Sequence, residues 1–104
     1  MNLKGTLPLL ILQTLSTGPR HGYQIAQLIK QKSEGILDFK EGTLYPTLHS
    51  LLAQGYLTSY SEEENGRTRH YYQLTPHGSQ FLDSEHKAWT KMVKAVNLAL
   101  ETIL

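Results

Sequence analysis

The chain has 104 residues, of which 39% are hydrophobic, a size that suits one compact domain and excludes a large two-domain enzyme. Ten Lys and Arg against nine Asp and Glu give a formal net charge of +1, so any attraction to nucleic acid must come from local groups of basic residues. The absence of cysteine excludes disulfides, thiolate zinc sites and iron–sulfur clusters. The early apolar stretch from Leu7 to Leu12 is too short to span a membrane, so we expect a cytoplasmic protein without membrane contact.

The first half of the chain has the spacing of three helices. Apolar residues recur at helical intervals from Thr6, and Pro8 suits a first turn, which together predict helix one. Residues 16–19 read Ser-Thr-Gly-Pro and end that helix, and a second helix is expected from about His21 to about Glu34. A short third helix ending near Gly55 is predicted by four leucines that share one face: Leu44, Leu48, Leu51 and Leu52.

A β-hairpin follows the third helix. Asn65-Gly66 favours a two-residue type I′ turn between two strands rich in Tyr and Thr. Such a loop pairs Glu64 with Arg67 and Glu62 with Arg69, so we expect opposite charges to face each other across the strands. The same register predicts three further pairs: Tyr60 with Tyr71, Ser59 with Tyr72 and Leu57 with Leu74.

The last quarter of the chain predicts one long helix. Thr75-Pro76 ends the second strand, and no glycine follows Gly78. Three helices, a two-stranded hairpin and a closing helix describe a mainly α fold, a winged helix-turn-helix at residues 1–76 followed by a dimerisation helix at 77–104. In such domains the last helix before the hairpin enters the DNA major groove, and the hairpin reaches the flanking backbone or minor groove.

Three motifs carry a resemblance to a known family. They read HGYQI at 21–25, GTLYPTL at 42–48 and RHYYQLTPHG at 69–78. In their order and spacing the chain resembles the PadR family of transcriptional regulators, in the branch with a single closing helix. This resemblance implies a homodimeric repressor of a palindromic operator that, in many members, a small aromatic compound releases. His49, where many relatives carry Lys or Arg, and the acidic run 62–64 depart from the family's pattern and weaken the expected attraction to phosphate.

The third helix offers a small polar face to double-stranded DNA. Short hydroxyl and amide side chains let a helix approach base edges closely, and a tyrosine hydroxyl can reach a phosphate. Pro46 is expected to fix the entry of this helix. The predicted DNA contacts are Tyr23, Lys40, Thr43, Tyr45, Pro46, Thr47, His49, Ser50, Arg67 and Arg69. The alternatives are an ordinary solvated helix face, scattered surface lysines and a core position for Tyr23.

The closing helix carries an apolar stripe too wide for one chain to cover. Residues at intervals of seven predict that part of it covers the first helix and the rest pairs with a second copy. The predicted dimerisation residues are Leu82, Trp89, Met92, Val93, Val96, Leu100 and Ile103. Trp89, the sole tryptophan, is also the candidate for stacking on an aromatic effector, although a core role or a wholly intramolecular helix is the alternative.

No catalytic motif stands out, so we do not expect an enzyme. Asp83 and His86 lie one helical turn apart, but no second ligand pair completes a metal site, and we expect neither a metal nor another cofactor. Two other readings remain: a winged-helix module that binds proteins and has lost DNA binding, which the near-neutral charge allows, and a DNA-binding regulator without a ligand.

Overall fold

The helices and strands follow the predicted order, with one strand added. A computed structural model describes the backbone of residues 3–103 and the side chains of residues 5–101. After a 3-10 turn at Leu3–Thr6, the elements are α1 (Leu7–Leu15), β1 (Arg20–His21), α2 (Gly22–Lys32), α3 (Glu41–Ala53), β2 (Leu57–Glu64), β3 (Arg67–Leu74) and α4 (Pro76–Ile103). The predicted fold class, a winged helix-turn-helix with a long C-terminal helix, is confirmed.

The core forms where α1, α2 and α3 pack under the sheet. α1 is apolar on nearly all sides and Pro8 lies in its first turn, where a missing N–H breaks no helical bond. Burying a Leu or Ile side chain contributes about 1.5–3 kcal/mol, which makes this cluster the main source of stability. The buried core residues are Leu7, Ile11, Leu12, Leu15, Ile25, Ile29, Leu44, Leu48, Leu51, Leu57, Tyr72 and Leu82.

The sheet has three antiparallel strands in the order β1-β3-β2. The hairpin of β2 and β3, called the wing below, has the predicted register in all five pairs. Positive φ angles at Asn65 (51°) and Gly66 (77°) fit the predicted type I′ turn. The prediction of two strands was incomplete, because β1 adds a third strand on the free edge of β3. Two residues are too few to show the alternation that signals a strand.

An aromatic row ties the three strands together. His21, Tyr71 and Tyr60 occupy the same register position on β1, β3 and β2. The rings of Tyr60 and Tyr71 stack with centroids 5.5 Å apart, and His21 meets Tyr71 edge-on at 5.4 Å. The row therefore joins the start of α2 to the wing.

A capping box sets the start of α2. The Gln24 N–H donates to His21 Nδ1 at 3.3 Å, and the His21 N–H donates to Gln24 Oε1 at 3.1 Å. α2 ends at Lys32, two residues before the predicted end.

The first two turns of α4 pack against the chain's own domain. A Cβ on Gly78 would lie 2.0 Å from the Tyr56 carbonyl oxygen, so only glycine allows this approach. The ring of Phe81 stacks on that of Tyr56 with centroids 4.1 Å apart, and Leu82 is only 7% exposed. The assignment of Leu82 to a dimer face was wrong, because it lies in the core of its own chain.

The rest of α4 extends away from the domain. Every described side chain from His86 to Glu101 is exposed. The helix has 28 residues, about 42 Å at 1.5 Å per residue, and it gives the molecule a long dimension of 57 Å against 29 and 22 Å. Within residues 3–103, no helix has the length and hydropathy needed to cross a membrane.

Candidate nucleic-acid interface

α3 exposes a face of small side chains. Opposite its buried leucines the exposed positions are Gly42, Pro46, His49, Ser50 and Ala53. Thr43 and Thr47, predicted near the centre of this face, are half-buried at one side, and the Thr47 hydroxyl donates to the Thr43 carbonyl oxygen at 2.9 Å. Ser50 and His49 are therefore the more accessible polar groups.

Pro46 lies inside α3 and not at its entry, which corrects the prediction. The helix begins at Glu41, because Lys40 has the extended backbone of an N-cap residue. Proline has no N–H, so the Gly42 carbonyl loses its usual helical donor. That carbonyl lies on the exposed face of α3, where water or another donor can reach it.

Lys40 is exposed but already has a partner. Its Nζ donates to Asp38 Oδ2 at 3.2 Å, and the Lys30 Nζ lies 3.7 Å from the same oxygen. The hydrogen bond from Lys40 lowers the pKa of Asp38. Because the Lys40 side chain is 81% exposed, this pair is weak and leaves the ammonium available to a phosphate.

The wing arginines do not pair with the glutamates they face. The register places Arg67 opposite Glu64 and Arg69 opposite Glu62, yet no ion pair within 4 Å joins them in the described part of the chain. The charges face each other as predicted, but the Glu64 carboxylate accepts a hydrogen bond from the Tyr71 hydroxyl. That hydrogen bond, with burial, raises the pKa of Tyr71 to about 12. Within the described residues no carboxylate holds either guanidinium group, although the Arg69 Nε is buried.

Three predicted contact residues lie around one small pocket. It has a volume of about 150 Å³, and we call it the α2–wing pocket. Its lining comes from α2 and the residue before it, from α3 and from β3: His21, Gly22, Tyr23, Tyr45, Thr68, Arg69 and His70. Tyr23 is 64% exposed, so it is not a core tyrosine.

The sequence patterns did not identify Gly22 as a residue that positions Tyr45. A Cβ at this position would lie 2.8 Å from the Tyr45 hydroxyl oxygen, so glycine lets the phenol lie against the first turn of α2. Burial and the charge of Arg69 lower the pKa of His21, which favours the neutral imidazole that its capping role requires. The motif at 21–25 marked these residues, but spacing alone did not show that α3 would meet them.

The second half of α4 exposes apolar side chains along one side. Trp89, Met92, Val93, Val96 and Leu100 are between 36% and 59% exposed. The Ile103 side chain, also predicted for this face, lies outside the described residues. A separate cavity of about 530 Å³ opens between α1 and α2, and its apolar lining includes Leu10, Leu28 and Leu37. Among the described residues no group of three or more His, Asp or Glu side chains is placed to hold a metal.

The comparisons with known proteins agree on the family. The model of the transcriptional regulator PadR-like family matches residues 11–84. A PadR family transcription regulator from Clostridium difficile has a crystal structure with a TM-score of 0.81 at 32% identity, and the match covers 92% of this chain and 99% of that chain.

Two longer proteins match part of their length. The transcriptional regulator Rv3488 of Mycobacterium tuberculosis is 35% identical over 77 residues, which are 74% of this chain and 59% of that protein. The structure of Bacillus subtilis PadR in complex with operator DNA has a TM-score of 0.70 at 28% identity, covering 76% of this chain and 45% of that chain. This chain therefore spans about half the length of these two relatives.

Proposed function

This chain belongs to the PadR-like family of transcriptional regulators, and on that premise we propose that it is a homodimeric repressor that binds a palindromic operator through α3 and the wing. α3 enters the major groove, and the wing contacts the flanking backbone or minor groove. The family assignment identifies a transcriptional regulator and not an enzyme.

The observation that carries this proposal is that the wing arginines have no ion pair within the described residues, while Arg69 and Tyr45 of α3 line one pocket. Arg67 and Arg69 make no ion pair within the described residues although three glutamates lie on the neighbouring strand. Free guanidinium groups bind phosphate, and the short side chains of α3 allow close approach to base edges. A net charge of +1 makes this local arrangement the main source of attraction.

Dimerisation is supported by the exposed apolar side of α4. A monomer seldom leaves so many large apolar side chains in water along one helix. Pairing this side with the same side of a second copy gives two-fold symmetry, which places two α3 helices on the half-sites of a palindrome.

A binding titration tests the proposal. Fluorescence anisotropy of labelled DNA from upstream of the protein's own gene is compared with unrelated DNA at two salt concentrations, and sedimentation gives the mass of the complex. We expect preferred, steeply salt-dependent binding of one dimer per site, because each phosphate contact releases counterions. Expression of a reporter gene placed downstream of the same DNA should decrease when the protein is present.

Two outcomes would contradict parts of the proposal. Equal binding to both DNAs would favour the alternative module that binds proteins, for which the exposed Glu62 and Glu63 offer an acidic surface. Increased reporter expression would leave DNA binding intact and show an activator.

We extend the proposal to an aromatic effector that stacks on Trp89 near the dimer axis. Trp89 is 41% exposed on the apolar side of α4, and as the sole tryptophan it reports its own environment. Titration with an anilinonaphthalene sulfonate should quench Trp89 and weaken operator binding. If Trp89→Phe retains the weakening, the compound acts elsewhere, and the α1–α2 cavity is the next site to test. Quenching without any effect on DNA binding would indicate a regulator without a ligand.

A further inference from the structure

The α2–wing pocket has the charge of an anion site. No carboxylate lines it, and its one permanent charge is the guanidinium of Arg69. Glu64, whose charge also reaches His21, already accepts a hydrogen bond from the Tyr71 hydroxyl. The first turn of α2, an eleven-residue helix, adds the positive end of its dipole.

Arg69 provides the second observation. Its Nε is buried and has no hydrogen-bond acceptor. A buried donor of a charged group without an acceptor is uncommon, because water is lost and nothing replaces it. Arg69 itself lines the pocket, on the side of the wing that faces α2 and α3, and no acceptor in the described part of the chain engages the Nε edge of its guanidinium.

Tyr45 provides the third observation. The absence of a side chain at Gly22 lets the Tyr45 hydroxyl lie against the start of α2, and Tyr45 lines the same pocket as Arg69. A tyrosine hydroxyl can donate to a phosphate oxygen, and the exposed Tyr23 lines the same pocket.

We infer that the α2–wing pocket seats one phosphate of the DNA backbone in each half-site, held by Arg69 and the hydroxyl of Tyr45, with Tyr23 also lining the pocket. The inference rests on the proposed function. One phosphate then contacts α2, α3 and the wing together, so it fixes their common position on the duplex. The contact reads no base, and it positions α3 without contributing sequence preference.

The test is a scan of the operator with single methylphosphonates, each of which neutralises one phosphate. We expect one position per half-site at which the wild-type protein loses about tenfold in affinity, the usual size for a charge-assisted hydrogen bond. Arg69→Gln should lose about as much on the unmodified operator but nothing further on that modified duplex. Tyr45→Phe should likewise lose affinity for the unmodified operator and lose nothing further on the duplex modified at the same position.

Arg67→Gln is the matched control, since Arg67 lies on the same strand but outside the pocket. Its effect should be equal on the modified and unmodified duplexes. The inference would be overturned if Arg69→Gln bound the operator as tightly as wild type. It would also be overturned if the losses from the substitution and from the methylphosphonate multiplied at every position scanned.

A separate measurement shows whether the pocket is occupied. The pKa of His21, followed by NMR, should rise in Arg69→Gln because a nearby positive charge is removed. It should rise in the wild-type protein when DNA binds, because a phosphate neutralises the same charge. An unchanged His21 pKa in the DNA complex would also contradict the inference.

Failure of the proposed function gives a different result. If wild type does not prefer the operator, the repressor proposal fails, while Tyr45 and Arg69 still act on one phosphate of any duplex. The double variant Tyr45→Phe/Arg69→Gln should then lose less affinity for unrelated DNA than the product of the single losses. Full additivity there would reject the shared phosphate.

Discussion

The two ends of α4 have the same helical pattern and opposite surroundings. Near the start, Gly78 and Leu82 are buried against the chain's own domain. From His86 onwards every described side chain is exposed, although Trp89 and Val96 continue the seven-residue spacing of Leu82. The spacing of apolar residues indicates which side of a helix is to be covered, but it does not indicate whether the same chain or another provides the cover.

The difference separates two kinds of stability. Contacts at the start of α4 stabilise each chain by itself, whereas the exposed side contributes only when a second copy is present. Variants at the start of α4 should therefore change the free energy of unfolding by an amount that does not depend on protein concentration. Variants on the exposed side should have effects that do depend on protein concentration.

Gly78→Ala should give the largest effect. The new Cβ would lie 2.0 Å from the Tyr56 carbonyl oxygen, and a backbone atom cannot move aside cheaply. We expect a loss of about 3 kcal/mol or more in the free energy of unfolding, larger than the gain of about 1 kcal/mol that alanine brings to a helix. Thermal unfolding followed by circular dichroism measures it, and the loss should be the same at all protein concentrations.

Gly42→Ala is the matched control for that variant. Gly42 is also helical and nothing lies within 4 Å of its added Cβ, so the same substitution should leave stability unchanged or raise it. Equal losses at the two positions would show that the contact with Tyr56 does not determine the start of α4.

Val96→Glu should give the next largest effect, on assembly. Val96 is exposed in the single chain and would be covered in the proposed dimer. A charge there should raise the dimer dissociation constant at least about tenfold, since both copies lose an apolar contact. Sedimentation equilibrium measures this change. Operator affinity should fall with it, while unfolding of the dissociated chain at low protein concentration should be unaffected.

Lys94→Glu is the control for assembly. Lys94 lies two residues before Val96 and thus on the opposite side of the helix, so this variant should remain dimeric. A Val96→Glu protein that stays dimeric would place the interface elsewhere.

Gly66→Ala should have a smaller effect confined to the wing. Gly66 has a φ of 77° and open space around it, so alanine is strained but meets no neighbour. We expect a loss of about 1 kcal/mol, or about 4–8 °C in Tm, independent of protein concentration. A loss as large as that of Gly78→Ala would mean that the turn holds more of the fold than its exposure indicates.

Acid should give the smallest effect, through His21. Burial holds the pKa of His21 below its ordinary value of 6.5, so the unfolded chain takes up a proton that the folded chain does not. The free energy of unfolding should fall as the pH drops below about 6.5 and level off below the lowered pKa. Chemical unfolding at several pH values measures this.

His21→Asn is the control for the acid effect. Asparagine caps a helix and does not titrate, so this variant should lose the part of the pH dependence that His21 contributes. An unchanged pH profile in the variant would assign the effect to another group.

Local rules determined most of the fold in advance. Asn65-Gly66 fixes a two-residue loop, and the loop fixes every pair in the hairpin, so the register was predictable from the sequence. β1 was not, because two residues carry no periodic signal and pair only where β3 presents a free edge. The residues proposed to contact DNA were found through motifs, whereas the meeting of Tyr45 with Gly22 depends on how α3 crosses α2.

By itself the sequence determined the order of elements, the hairpin register and the apolar side of α4, since each follows from interactions among near neighbours in the chain. The tertiary structure alone decided which charges and faces remain free. Tyr71 competes with the wing arginines for Glu64, Leu82 enters its own core while Val96 does not, and Arg69 is left beside Tyr45 without an acceptor. Those outcomes depend on distances between groups far apart in sequence, which only the packed chain sets.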